Sequence, residues 1–255
     1  MQNGHAQRSR IALTQPAPVG SPDRYAIAVD VALFTIQGES LKVLLVKRTA
    51  SPFRGAWSLP GGLVRRDESV DEAALRALQE ETGITTVYLE QLYTFGDLDR
   101  DPRARVITVS YYAVVDWGRF QGKARRQAST QARHRASAHA PATWCPVNRL
   151  PSLAFDHRKI VGYALERLRN KMNYTSVAFQ LLPKTFTLSE LQRAYEVILG
   201  TQLDKRNFRK KMSQLGILRE TGSQTGEGRR RPARLYSFTD TKVIKLQEKG
   251  IIVPF

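Results

Sequence analysis

Residues 61–84 read GGLVRRDESVDEAALRALQEETGI, and this stretch decides the fold of the first half of the chain. Val70, Ala73, Ala74 and Leu78 recur at helical spacing with carboxylates on the other positions, which predicts an amphipathic helix over 69–82. Gly83 stands where a helix C-cap glycine belongs, because glycine enters the left-handed region without a Cβ clash. Upstream, YAIAVDVALFTI (25–36) and LKVLLVKR (41–48) are β-branched and aromatic runs parted by the turn Gln37-Gly38-Glu39. Downstream, VYLEQLYTF (87–95) and RVITVSYYAVVD (105–116) flank the polar loop 96–102, and ATWCPV (142–147) reads as a further short strand. Strands on both sides of one central helix predict a mixed α/β domain.

A boundary is expected near Leu150-Pro151-Ser152. Beyond it, DHRKIVGYALERLRNKM (156–172) forms an amphipathic linker helix with the stripe Ile160, Val161, Ala164, Leu165 and Leu168. Thr187 and Glu190 form a capping box, in which each side chain satisfies the other residue's orphan backbone N–H. The helix they open has Leu191, Ala194, Tyr195 and Ile198 on its core face and stops at Gly200. A short turn leads to Asp204, an N-cap for KRNFRKKMSQL, which Gly216 ends. Two strands, ILRE and ARLYSF, bracket the tip TGSQTGEGRRRP. Helix, tight turn, helix and β-hairpin is the order of a winged helix-turn-helix.

On a wheel at 100° per residue, Phe208, Met212 and Leu215 mark the core side of the second helix. Arg206, Lys210, Ser213 and Gln214 lie opposite, with Asn207 and Arg209 on the flanks. Arg and Lys can bond guanine O6/N7 or phosphate, and Asn or Gln can pair with adenine N6/N7. Lys205 and Lys211 sit nearer the edges, where contact is with phosphate. Arg229, Arg230, Arg231 and Arg234 at the hairpin are read as a wing reaching the backbone or an adjacent minor groove.

Charge agrees with this division. The whole chain of 255 residues carries 40 Lys+Arg against 23 Asp+Glu, a net +17. Residues 151–255 hold 20 basic and 9 acidic residues; residues 1–150 hold 20 and 14. Five of the N-terminal basic residues fall in GKARRQASTQARHRASAHAPA (122–142), which has no acid and no apolar period and is read as a mobile surface loop. The polyanion partner therefore belongs to the C-terminal half. Residues 1–24, with Pro16, Pro18 and Pro22, are expected to be a disordered leader, followed by a ligand-binding domain over 25–150 and a DNA-binding unit over 151–255. A single cysteine, Cys145, fits a reducing compartment. No apolar run reaches the roughly 18 residues that would span a bilayer, and the basic N-terminus has no apolar stretch of the secretory kind. A soluble, cytoplasmic protein without membrane contact is expected.

Gly62, Glu68, Arg76, Leu78, Glu80, Glu81, Gly83 and Ile84 fall on the fixed positions of the Nudix box, G-x5-E-x7-R-E-U-x-E-E-x-G-U, in which U is a bulky apolar residue. The segment GAWSLPGG before it resembles the family's lead-in. The resemblance implies a Nudix α/β/α sandwich with a mixed sheet over residues 25–150. Ala77 departs from the box, which has Glu there. In active Nudix enzymes three carboxylates hold divalent metal against a diphosphate, and a hard cation needs several oxygen ligands. Positions 77, 80 and 81 lie within one turn, so Glu80 and Glu81 are expected to face the same way and to hold Mg²⁺ only weakly; no cofactor is expected to be required. No Asp or Glu occurs between Asp116 and Asp156, so the loop that carries the catalytic base in many Nudix hydrolases has none.

A degenerate Nudix box followed by a winged helix-turn-helix resembles the Nudix-related transcriptional regulators of bacterial NAD metabolism, the NrtR family. TFGDLDRDPR, LAFDHRKI, TFTLSELQRAYEVILG, LDKRNFRKKM and RPARLYSF also carry the likeness. It implies a cytoplasmic, homodimeric repressor of NAD-biosynthesis or salvage genes on a near-palindromic duplex operator, released when ADP-ribose or a related nucleotide enters the Nudix cleft. Trp57, by stacking, and Arg48, Arg54, Asp99, Arg100, Arg103 and Arg105, by polar contact, are the expected ligand residues, together with Glu80 and Glu81. Two rival readings are an active nucleoside-diphosphate hydrolase with an accessory basic domain and an RNA-binding protein. Electrostatics of this kind make duplex binding steep in salt. If roughly 6–10 phosphates are neutralised, affinity should fall by about 10³–10⁵ between 50 and 200 mM salt; a shallow titration by fluorescence anisotropy would contradict the reading.

Overall fold

The structure is a computed structural model that describes residues 25–84, 87–118, 142–172, 180–225 and 232–239. The expected leader 1–24, the basic loop apart from Ala142, and Arg229, Arg230 and Arg231 lie outside the described residues.

β1 (Ala26–Gln37) is the central strand, buried continuously from Ala28 to Thr35. It runs parallel to β6 (Val106–Val114) on one side. Its other edge is shared by two antiparallel partners, β2 (Ser40–Lys47) over the C-terminal half and β4 (Gly61–Leu63) over the N-terminal half. β5 (Tyr88–Phe95) pairs with β6 at one edge, while β3 (Trp57–Ser58) and β7 (Ala142–Pro146) pair with β2. A strand with neighbours on both edges and helices over both faces needs apolar residues at every position, which is why β1 reads as an unbroken run.

The two faces part by the period of two. Val29, Val31 and Leu33 of β1 meet Leu44, Tyr111 and Ala113 under α1 (Val70–Thr82), which contributes Ala73, Ala74, Ala77 and Leu78. Ala32 and Phe34 meet Val43, Leu45, Tyr112 and Val114 under α2 (His157–Met172), which contributes Ile160, Val161, Ala164 and Leu168. The result is an α/β/α sandwich. α1 is closed at both ends by its own sequence. Ser69 and Glu72 form a capping box, and Gly83 takes φ 73° while its N–H bonds the Gln79 carbonyl.

α2 is a layer of this sandwich as well as the bridge onward, which a boundary at Leu150 does not capture. Its apolar face is continuous with the core of the C-terminal unit, where Phe186, Leu191, Ala194, Tyr195, Ile198, Phe208 and Met212 are buried. That unit consists of α3 (Leu188–Leu199), α4 (Lys205–Leu215) and the hairpin β8 (Leu218–Gln224) and β9 (Arg234–Phe238). Thr187 and Glu190 make the expected capping box, and Gly200 and Gly216 are left-handed C-caps. Asp204 accepts from the Asn207 N–H at 2.8 Å as the N-cap of α4. β8 continues to Gln224 rather than ending at Glu220, so the hairpin tip is shorter than its composition suggests. β3 and β4 are likewise strands that the sequence patterns do not predict; both are too short to show alternation.

Truncating Leu168, fully buried where the sandwich core runs into the winged helix, should destabilise the protein by about 2–5 kcal/mol in Leu168→Ala, read from the denaturant midpoint.

Candidate ligand cleft and nucleic-acid interface

An open cleft of about 480 Å³, taken out to its solvent-filled mouth, lies where β1, β4, the end of α1, the β5–β6 loop and the start of α2 converge. Its floor depends on Gly61. A Cβ there would meet the Val29 carbonyl at 2.3 Å and Asp30 Oδ1 at 2.7 Å, so only glycine lets β4 approach β1. The Gly61 N–H then faces Glu81 Oε2 at 3.3 Å.

Asp30 is the one charged residue in the buried run of β1, and its surroundings explain it. Arg100 donates Nη2 to Asp30 Oδ2 at 3.1 Å and grips Asp156 with Nε at 3.1 Å and Nη2 at 2.9 Å. His157 Nε2 lies 3.2 Å from Asp30 Oδ1, while His157 Nδ1 accepts from the Leu59 N–H at 2.8 Å. A backbone amide can only donate, so the imidazole proton sits on Nε2 and points at Asp30. Burial pushes the Asp30 carboxyl up, but His157 and Arg100 together overcome this and hold it at about 2.

The second feature is cationic. The Arg48 guanidinium lies over the Phe155 ring at 4.6 Å, and the Arg103 guanidinium approaches the same ring at 5.7 Å. Arg103 is a bidentate partner of Asp101, with Nε at 3.0 Å and Nη2 at 2.7 Å. Arg48 donates to the Pro52 carbonyl at 2.9 Å and has no carboxylate oxygen within 4.0 Å among the described residues. Burial, then the like charge of Arg103, lowers its pKa below the ordinary arginine value. A guanidinium with no direct ion pair, beside a second guanidinium, suits a dianion, although Asp101, Glu81 and Asp30 lie near enough to offset part of its charge.

Of the residues expected from sequence, Arg48, Arg100, Arg103 and Glu81 line the cleft. Arg100 is saturated by Asp30 and Asp156, and so acts as a clamp rather than an open ligand donor. Arg54 and Asp99 are exposed away from the cleft lining, and Arg105 donates to the Asp97 carbonyl at 2.8 Å. Trp57 is half-buried, packs against the sandwich core on the far side of β2 from β1, and is not among the residues lining the cleft. Positions 77, 80 and 81 do not converge. Ala77 is buried under the sheet, and Glu80 turns outward to Arg65 at 3.1 Å and Arg76 at 2.9 Å. Glu81 alone enters the cleft, and among the described residues no three metal-ligating side chains gather. The residues present therefore do not fit a resident Mg²⁺ cluster. Asp30, Asp101, Phe155 and His157 were not anticipated as site residues. The signals were an aspartate inside an apolar strand and the tripeptide Phe155-Asp156-His157.

On α4, Phe208 and Met212 are buried, and Lys205, Arg206, Asn207, Arg209, Lys210, Ser213 and Gln214 are exposed. The helix holds no acidic residue, and its exposed side chains are basic, amide-bearing or, at Ser213, a hydroxyl. Tyr195 of α3 packs edge-on to Phe208 at 5.5 Å, which fixes the roll of α4 against α3. Arg234, expected at the wing, pairs with Glu220 at 3.2 Å across the hairpin.

Family profiles match the chain twice: a NUDIX domain over residues 24–164 and the NrtR DNA-binding winged helix domain over residues 178–238. The ADPR responsive transcriptional repressor NtrR of Acinetobacter baylyi is 36% identical over 240 residues, covering 92% of this chain and 90% of that protein. The ADP-ribose pyrophosphatase of Methanocaldococcus jannaschii is 37% identical over 136 residues, which is 53% of this chain and 70% of the relative. The crystal structure of Shewanella oneidensis NrtR complexed with a 27mer DNA superposes with a TM-score of 0.71 at 37% identity, covering 86% of this chain and 95% of that one.

Burial pushes the Glu81 carboxyl from 4.5 up to about 7. Between those values the folded state holds a proton that the unfolded chain has released, so stability falls as pH rises through the window. Glu81→Gln removes the effect. Relative to wild type, the variant should gain about 3 kcal/mol between pH 4 and pH 8, measured as urea midpoints; parallel curves would show that burial does not hold the proton.

Proposed function

The chain belongs to the NrtR family of Nudix-related transcriptional regulators, and from that premise we propose that it is a DNA-binding repressor whose Nudix cleft senses ADP-ribose or a related NAD-derived nucleotide. The observation that carries the ligand assignment is the pair Arg48 and Arg103 on Phe155, with Arg48 lacking a carboxylate partner among the described residues. A diphosphate would supply the direct anionic partner that Arg48 lacks. Arg48 would hold it through charge-assisted hydrogen bonds, with Arg103, already oriented by Asp101, at the second phosphate.

The cleft binds this group rather than cleaving it. Hydrolysis in this fold needs several carboxylates around the diphosphate, and here Ala77 is apolar, Glu80 is engaged by Arg65 and Arg76, and Glu81 stands alone. The rival reading, an active hydrolase, is favoured by the likeness to the archaeal pyrophosphatase over half the chain. A phosphate-release assay with Mg²⁺ and ADP-ribose separates the two. The repressor reading expects turnover far below about 1 per second, the lower end for ordinary enzymes.

Occupancy reaches DNA through α2. Its first residue, His157, is hydrogen-bonded into the cleft floor, and near its other end Arg169 Nε donates to the Ile198 carbonyl of α3 at 2.9 Å. A ligand that favours a different seating of α2 changes the presentation of α4, and differential affinity of this kind is worth about 1–3 kcal/mol, or 5–150-fold. The protein acts in the bacterial cytoplasm as a homodimer, placing two α4 helices on half-sites a whole number of helical turns apart, on a near-palindromic operator of NAD-biosynthesis or salvage genes.

Operator selected from random duplexes should be released by ADP-ribose in an anisotropy titration of the full chain. Arg48→Ala should bind the operator as wild type does, yet need at least about tenfold more ADP-ribose for release. An operator affinity indifferent to ADP-ribose would sink the sensing role.

A further inference from the structure

Two described non-glycine residues carry a positive φ, Phe53 at 62° and Phe155 at 53°. In that region the Cβ of an L-residue crowds the backbone, so a bulky side chain stays there only where its surroundings hold it. Both residues are phenylalanine. They come from loops far apart in the chain, yet their rings meet edge to face at 5.0 Å beside the cleft. Outliers of this sort cluster at ligand clamps.

The local backbone shows what holds them. Around Phe53, Arg48 Nε binds the Pro52 carbonyl at 2.9 Å, the Gly55 N–H binds the Arg48 carbonyl at 2.8 Å, and the Ala56 N–H binds the Phe53 carbonyl at 3.0 Å. Around Phe155, the Ala154 N–H binds the Trp57 carbonyl at 2.8 Å, and the next two residues, Asp156 and His157, are fixed by Arg100 and Asp30. Packing does not account for the arrangement. Phe53 is 46% exposed and belongs to neither buried core, so its ring is held in an unfavourable conformation without being removed from water. The guanidinium that grips the Phe53 loop, Arg48, is also the one stacked on Phe155.

We propose that Phe53, braced by Phe155, is the platform on which the ligand's nucleobase stacks while Arg48 and Arg103 hold its diphosphate, making Phe53 the residue that distinguishes a nucleotide from a bare pyrophosphate. This rests on the reading of the cleft as a nucleoside-diphosphate site. An aromatic ring accepts the π-face of any base, so the platform selects for a planar base and leaves the choice among bases to polar groups.

Calorimetric titration of the full-length protein with ADP-ribose and with inorganic pyrophosphate tests it. Phe53→Ala should weaken ADP-ribose by roughly 5–150-fold, as loss of one base–aromatic stack does, and leave pyrophosphate unchanged. Phe53→Tyr should retain the wild-type affinity for both. Phe53→Gly, which relieves the left-handed strain, should raise the denaturation midpoint and still lose ADP-ribose, an outcome that a merely structural role does not produce. A Phe53→Ala protein that binds ADP-ribose like wild type, or that loses pyrophosphate in equal measure, overturns the platform while the sensing role stands. A wild-type protein that binds neither probe overturns the cleft assignment itself.

Discussion

The structure depends on where it puts one charge. Arg100 is buried, and a buried guanidinium is tolerable only when its donors and its charge are both answered. Asp156 answers with two oxygens and Asp30 with one, and His157 completes the ring of hydrogen bonds by donating to Asp30 while accepting from the Leu59 amide. Four side chains from β1, the β5–β6 loop and the start of α2 are thus determined together. Removing Arg100 would leave Asp30 and Asp156 without their shared buried cation, which costs more than the lost contacts. This locks the N-terminus of α2 to the central strand.

Because that clamp absorbs Arg100, the cleft's affinity for anions falls to its other arginines. Arg103 is oriented by Asp101, and Arg48 is held by a carbonyl and a ring. On the opposite wall the carboxylates are dispersed. The helical positions that would gather them are divided between core, solvent and cleft, so a single substitution at Ala77 acts on a set already spread over three environments. The cleft thus sets two guanidinium groups on one wall against a single helix carboxylate, Glu81, on the other.

The same helix that seals the clamp carries the apolar surface from the sandwich into the winged helix. Since the core is continuous from Phe34 to Phe208, the two units respond to one packing arrangement rather than to a flexible tether. α4 turns its two buried residues inward and its basic and amide side chains outward, so that exposed basic surface is presented by the same core that the cleft floor helps to seat.

What the sequence by itself determined lies within a few residues of its own cause. The capping box at Thr187 and Glu190, the C-cap glycines, the division of α4 into a core side and an exposed basic side, and the spacing of the Nudix box all follow from hydrogen bonds and side-chain repeats that close within one or two helical turns. The tertiary structure alone decided the cleft. Phe155 rather than Trp57 faces it, Arg100 is spent on Asp30 and Asp156, and Glu80 points away from Glu81, because each outcome depends on sheet register and burial between residues that are far apart in the chain or on opposite walls of one helix. Local pattern sets which face a residue belongs to, while the partner waiting on that face, and hence whether a charge is available to a ligand, is set only when distant strands and helices come together.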